Sequence, residues 1–275
     1  MHLCLFSGAM YNAYMIIVFL ICGILVGGVI NILADHLPVD RSIVHPYCPA
    51  CTAPRPVLEW FGIPSVLFKR TECSYCGAGR GLRPIIVELV SGAAAAAAFL
   101  FSPDVFTFLS AYLIFSIFLL ITVIDLEHRL ILHMVTGPSA ILMAVMGLLG
   151  WIDPDRGVLS TLLGGMAGFG SVYLLYLLGI VFSRAMAKKQ GAEVEEVAFG
   201  FGDVTLSGVI GLIVGFPGVV VAIFFGIMAA GIFSLGYLVL MMLRRRYNAF
   251  MPIPYGPFLI LGALFVYLRW IFPGF

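Results

Sequence analysis

The stretch FTFLSAYLIFSIFLLITVIDLEHRL, residues 106–130, decides what kind of molecule this is. Residues 106–124 hold no charge, and Asp125, Glu127, His128 and Arg129 then follow almost together. At about 1.5 Å per helical residue, such a run is about as long as the ~30 Å hydrocarbon core of a bilayer is thick. Seven further apolar runs lie at 14–33, 85–101, 135–151, 158–182, 197–216, 219–243 and 255–272. The run at 197–216 carries one acid, Asp203. Backbone groups in lipid must bond within their own segment, so the runs read as helices. Across all 275 residues, 62% are hydrophobic and 11% are charged, and mean hydropathy is +1.10. An ordinary soluble domain carries about 25% charged residues, so soluble and disordered classes are excluded. A net charge of +1 gives no global field for nucleic acid. The expected fold is an all-α polytopic membrane protein with about eight transmembrane helices.

Lys and Arg set the expected orientation. With eight alternating spans, segments 34–84, 125–134, 183–196 and 244–254 share one side and hold thirteen of the fifteen basic residues. The positive-inside rule makes that side cytoplasmic. The residues before the first span lack Lys and Arg, and the span's own apolar run exceeds a typical signal-peptide h-region, which favours a retained span. Arg244, Arg245 and Arg246 read as a topology anchor and anionic-lipid contact. Trp151, Tyr255 and Trp270 read as interfacial anchors, and Cys22 as a packing residue. Ala93 to Ala98 and Gly165 to Gly170 read as faces for close helix packing.

The first cytoplasmic segment contains Cys48, Cys51, Cys73 and Cys76, two Cys-x-x-Cys pairs 21 residues apart. Two such pairs can grip one Zn²⁺ through four thiolates in a closed tetrahedral site, which leaves no open position for catalysis. Two disulfides are the other reading, and a reducing cytosol opposes it. The metal would fold a segment whose own core is too small. The expected organisation is a first helix at 1–34, a zinc-binding insertion at 35–84 between helices 1 and 2, and a seven-helix membrane domain at 85–275.

Acids at membrane depth are costly and are candidates for function. Glu88, Asp125 and Asp203 qualify. Asp125 ends the third span, and Asp203 lies in Gly200-Phe201-Gly202-Asp203, about 9 Å below the start of the sixth by helical rise. Both therefore fall at similar depth on the cytoplasmic side. Two close carboxylates share a proton, so one can activate water while the other donates to a peptide carbonyl. Gly200 and Gly202 let the backbone bend and a substrate strand approach. Taken singly, Asp203 also suits a helix cap and Asp125 a surface acid at a helix end. Glu88 reads as a structural partner, with Arg83 or a loop base as its counterpart. His128 and Arg129 read as loop residues. Glu193, Glu195 and Glu196 could attract a basic peptide or form a solvated loop.

Gly200-Phe201-Gly202-Asp203 resembles the GxGD motif of intramembrane aspartic proteases. The whole layout resembles the bacterial type IV prepilin peptidase family. It shares the double Cys-x-x-Cys insertion after span one, Asp125 ending span three and GxGD opening span six. Further similar stretches are Val26 to Asn31, Arg83 to Leu89 and Ile253 to Phe258. The resemblance implies removal of the basic leader of type IV prepilins or pseudopilins, cut after glycine on the cytoplasmic side of the inner membrane. It also implies N-methylation of the new terminus with S-adenosylmethionine. It places the catalytic pair at Asp125 and Asp203 and the zinc ligands at the four cysteines. Leu132 and His133 stand where many members carry Pro-Asp. No glycine-rich strand-to-helix loop marks a cofactor pocket. A proton- or ion-coupled transporter using the same aspartates is the alternative, and a zinc-anchored scaffold a third reading.

Overall fold

A computed structural model describes residues 2–41, 45–190, 200–244 and 254–271. Among them the helices are α1 (His2–Asp40), α2 (Gly62–Leu67), α3 (Arg83–Phe101), α4 (Val105–His128), α5 (His133–Leu148), α6 (Val158–Gln190), α7 (Phe201–Val214), α8 (Gly218–Leu243) and α9 (Gly256–Ile271). A single 3₁₀ turn, Val57–Glu59, precedes α2. The fold is all-helical, as expected. By length and composition α1, α3, α4, α6 and α8 can cross a bilayer, while α5, α7 and α9 are shorter apolar helices. Glu193, Glu195, Glu196, Arg245, Arg246 and Ile253 lie outside the described residues, as does the side chain of Trp270.

The chain forms two compact units, residues 1–124 and 125–275. In the first, α1 and α3 pack through small residues. A side chain at Gly23 would meet Ala95 and Gly92 at 2.7 Å, and one at Gly27 would meet the Glu88 Cα at 2.6 Å. Close approach of this kind maximises dispersion contact where lipid removes the hydrophobic drive between helices. Asn31 of α1 donates its side-chain amide to the Pro84 carbonyl (3.0 Å), and Arg83 pairs with Asp35 at 2.5 Å. Cys22 is exposed on α1 rather than packed.

In the second unit α7 is the centre. It packs on α5, α6, α8 and α9, and Val204, Leu206, Val209, Ile210 and Ile213 are almost fully buried. A helix apolar all round belongs in such a position. The Gly165 region does form a packing face, since a side chain at Gly165 would meet Leu212 of α7 at 2.7 Å, although Gly170 faces open space. The sixth span was expected from residue 197. The observed helix begins at Phe201 and stops at Gly215, whose φ of +66° suits glycine. Arg156 donates to the Ile213 carbonyl and pairs with Asp153, and Ser160 donates to the Phe216 carbonyl (2.7 Å). These groups satisfy carbonyls that a helix end leaves open, and a cation suits that end of the dipole.

Candidate active site

Asp125 and Asp203 both belong to the second unit. Asp125 sits in the last turn of α4, where its carbonyl accepts the Arg129 N–H (2.9 Å). Arg129 adopts φ +54°, which ends the helix, and both it and His128 are exposed. Asp203 is in the first turn of α7 and not deeper, because the helix starts at Phe201 with Gly200 as its cap. Its side chain reaches back to accept the Gly200 N–H at 2.9 Å. Half of the capping reading thus holds, and glycine has no side chain to complete the reciprocal box.

The two carboxylates are 4% and 8% exposed and lie within electrostatic reach of one another. Asp125 accepts the Gly256 N–H at 3.1 Å through Oδ2. Each carboxylate therefore has one oxygen on a backbone amide, and among the described residues its Oδ1 accepts no hydrogen bond.

Sequence reasoning assigned no role to Ile131 or Gly256, and both help shape the site. A side chain at Gly202 would meet the Ile131 Cβ at 2.7 Å. One at Gly256 would meet Asp125 Oδ2 at 2.6 Å. Gly202 is thus needed for contact with the α4–α5 connection, and Gly256 for the approach of the α9 amide to Asp125. The only hint in the sequence was that Gly256 belongs to a stretch of family-like residues. His133 stacks on Phe201 (5.5 Å between rings), and Thr136 and Thr205 hydroxyls are 3.2 Å apart. A groove of about 480 Å³ opens beside them, lined by Gly137, Gly165, Met166, Phe169 and Gly208 among others. His133, Thr136 and Thr205 line it too, but the rest of its wall is apolar and holds no charged side chain, so it does not fit S-adenosylmethionine, whose amine and carboxylate need charged or strongly polar partners.

The four cysteines converge in the first unit. Their sulfurs all lie within 4.8 Å of each other, with Cys48–Cys76 and Cys51–Cys73 each at 3.8 Å. A disulfide needs about 2.05 Å. A tetrahedron of Zn–S bonds of about 2.3 Å has edges of about 3.8 Å, so the donor set fits zinc. Each pair sits in a matching turn. Thr52 donates to the Cys48 carbonyl (2.7 Å) and Gly77 to the Cys73 carbonyl (2.9 Å), and both take positive φ. The Ala50 amide and its neighbours pull the Cys48 thiol down to about 6. At Cys76 the Ala78 amide also pulls down, but hydrogen bonds to the neighbouring cysteines and burial prevail and push the thiol up to about 12. Four thiolates so close together need a cation to coexist.

Glu88 is fully buried, and its partner is not Arg83. Its two oxygens accept the amides of Gly62 (2.5 Å) and Ile63 (2.7 Å). It thus holds the start of α2 against α3. Backbone amides 25 and 26 residues away along the chain leave no mark in a sequence.

The model of the type IV leader peptidase family matches residues 112–235, and that of the bacterial peptidase A24 N-terminal domain matches residues 21–101. A prepilin leader peptidase/N-methyltransferase of Bacillus subtilis is 26% identical over 262 residues, covering 92% of this chain and 94% of the relative. One from Aeromonas salmonicida is 26% identical, covering 86% and 73%. One from Myxococcus xanthus is 29% identical, covering 60% and 49%. No solved structure matches the chain.

Proposed function

The chain belongs to the type IV leader peptidase family, and from that premise we propose how its residues cleave a prepilin. It is an aspartic endopeptidase of a multi-pass bacterial inner-membrane protein, acting on leader peptides. The observation that carries the residue assignment is the pair Asp125 and Asp203. Both are buried and within electrostatic reach, and each has an oxygen without a hydrogen bond. The transporter reading finds no support among the relatives, which carry peptidase names.

Asp203 stands at the positive end of α7 and Asp125 at the negative end of α4, so the helix dipoles favour charge on Asp203 and the shared proton on Asp125. Asp203 takes a proton from water, and the water oxygen bonds to the carbonyl carbon of the glycine before the cut. Asp125 gives its proton to the carbonyl oxygen. On collapse the C–N bond breaks, Asp203 returns its proton to the departing amine, and one hydroxyl of the diol gives its proton back to Asp125 as the carbonyl of the new carboxyl group re-forms. Gly200, whose side-chain space is open to within 3.7 Å, leaves room for the extended strand, whereas the space at Gly202 is taken by Ile131. The substrate is a type IV prepilin or pseudopilin, entering from the bilayer with its basic leader on the cytoplasmic face, an orientation that the bias of Lys and Arg to one side supports. Cys48, Cys51, Cys73 and Cys76 hold Zn²⁺, which supplies fold and no chemistry. The zinc-binding insertion is proposed as residues 35–84, between a first membrane helix at 1–34 and the membrane domain at 85–275, although α1 itself continues to Asp40 and so carries the start of the insertion. N-methylation of the new terminus is a second proposed step, supported by the N-methyltransferase in the relatives' names, and the family resemblance implies S-adenosylmethionine as the methyl donor.

The test is incubation of purified protein with a prepilin, followed by mass spectrometry of the mature N-terminus. The expected product starts after a glycine, with one added methyl group. Asp125→Ala and Asp203→Ala are expected to leave the precursor intact. Wild-type cleavage by either folded variant would overturn the assignment.

A further inference from the structure

Residues 57–70, VLEWFGIPSVLFKR, lie between the two cysteine turns, where a soluble zinc module would be expected to be polar. Residues 57–68 carry one charge, Glu59, and that side chain is buried and takes a hydrogen bond from Ser74. Arg80 donates to the Glu59 carbonyl, which fastens the segment to the second cysteine turn. Yet Val57, Val66, Leu67 and Phe68 are exposed, Leu67 at 74%. Lys69 and Arg70 follow at once, also exposed, where φ +54° at Lys69 ends α2.

The depth of this segment follows from its contacts. The Phe61 ring lies against Gly28 of α1, in the space a side chain there would fill. Gly62 lies against Pro84 and Ile85, and its amide is held by Glu88 of α3. Apart from the buried Glu88, charge on both helices begins at the Asp35–Arg83 pair. Gly28, against the Phe61 ring, is seven residues inside that boundary, and Pro84 and Ile85, against Gly62, are one and two, so this part of the segment spans roughly 2–10 Å below it by helical rise. Interfacial apolar elements bury to about 5–10 Å, and apolar runs of 10–14 residues suit re-entrant or interfacial segments rather than spans.

We propose that residues 57–70 form a short wedge inserted in the bilayer interface beside α1 and α3. Val66, Leu67 and Phe68 lie among acyl chains, and Lys69 and Arg70 meet anionic headgroups as the chain returns. Exposed apolar side chains at this depth cost nothing in lipid, whereas in water they would be a liability. Glu88 is the positioning residue, since it saturates the two amides at the start of α2 that lipid cannot. The wedge joins the cysteine turns to the membrane unit.

The test uses full-length protein in phosphatidylethanolamine–phosphatidylglycerol vesicles. In a chain with Trp60, Trp151 and Trp270 changed to Phe, Leu67→Trp or Phe68→Trp supplies the one fluorophore. Strong loss of emission in lipid brominated on its acyl chains, with little loss to acrylamide, is expected. Independently, with the native tryptophans kept, a benzophenone amino acid at position 67 is expected to give phospholipid adducts on irradiation. Acrylamide quenching without lipid adducts would overturn the proposal in favour of a water-exposed loop. Quenching by neither agent, with protein adducts instead, would overturn it in favour of a protein contact.

Discussion

Glu88 and the Asp125–Asp203 pair are all buried acids in apolar helices, but they are bonded in opposite ways. Glu88 has both oxygens on backbone amides, so nothing of its charge is left for chemistry. Asp125 and Asp203 each accept one amide, and each keeps an oxygen. Position in the sequence flagged all three alike. Burial does not separate them, since a carboxylate buried for structure and one buried for catalysis both need partners. The count of satisfied lone pairs separates them.

That contrast can be broken by substitution. Asp125→Asn and Asp203→Asn should each lower the cleavage rate by about 10²–10⁴-fold, the usual worth of a general acid or base. Melting temperature should hold or rise, because mutual repulsion is relieved. The double variant should be little worse than either single one, since the pair acts as a unit. Gly256→Ala should come next. A methyl 2.6 Å from Asp125 Oδ2 must displace the carboxylate, and a shift of about 1 Å can cost about 10²-fold. The loss should fall on kcat with KM little changed. Removing metal with a strong chelator should release one Zn²⁺ per chain, measurable by elemental analysis. It should lower the unfolding temperature, while cleavage falls only as protein unfolds. Glu88→Gln should be the mildest. It leaves one amide facing an NH₂ group, a loss of about 1–3 kcal/mol in thermal unfolding, with the rate per folded molecule kept. A stable Glu88→Gln protein that no longer cleaves would place Glu88 with the aspartates.

Much of the fold was legible because a bilayer imposes one strong rule. Apolar runs of about twenty residues read as helices there, and among the described residues each of the eight runs corresponds to an apolar helix, five of them long enough to cross. The start of α7 was misjudged because hydropathy does not sense a cap. Residues 197–200 are apolar enough to extend the run, but Gly200 turns the chain and puts Asp203 in the first turn. The cysteine cluster was legible from spacing alone, since Cys-x-x-Cys turns are local.

The sequence by itself determined the membrane class, the thiol cluster and the two aspartates, because charge, spacing and hydropathy are properties of a chain without coordinates. Only the tertiary structure decided what those groups touch. It put the Gly256 amide on Asp125, the Gly62 and Ile63 amides on Glu88, and residues 57–70 beside Gly28. These contacts are made by backbone amides, which nearly every residue type carries, and by the missing side chain at glycine, whose neighbour in space only packing decides. A sequence cannot announce them until the helices that carry them are packed together.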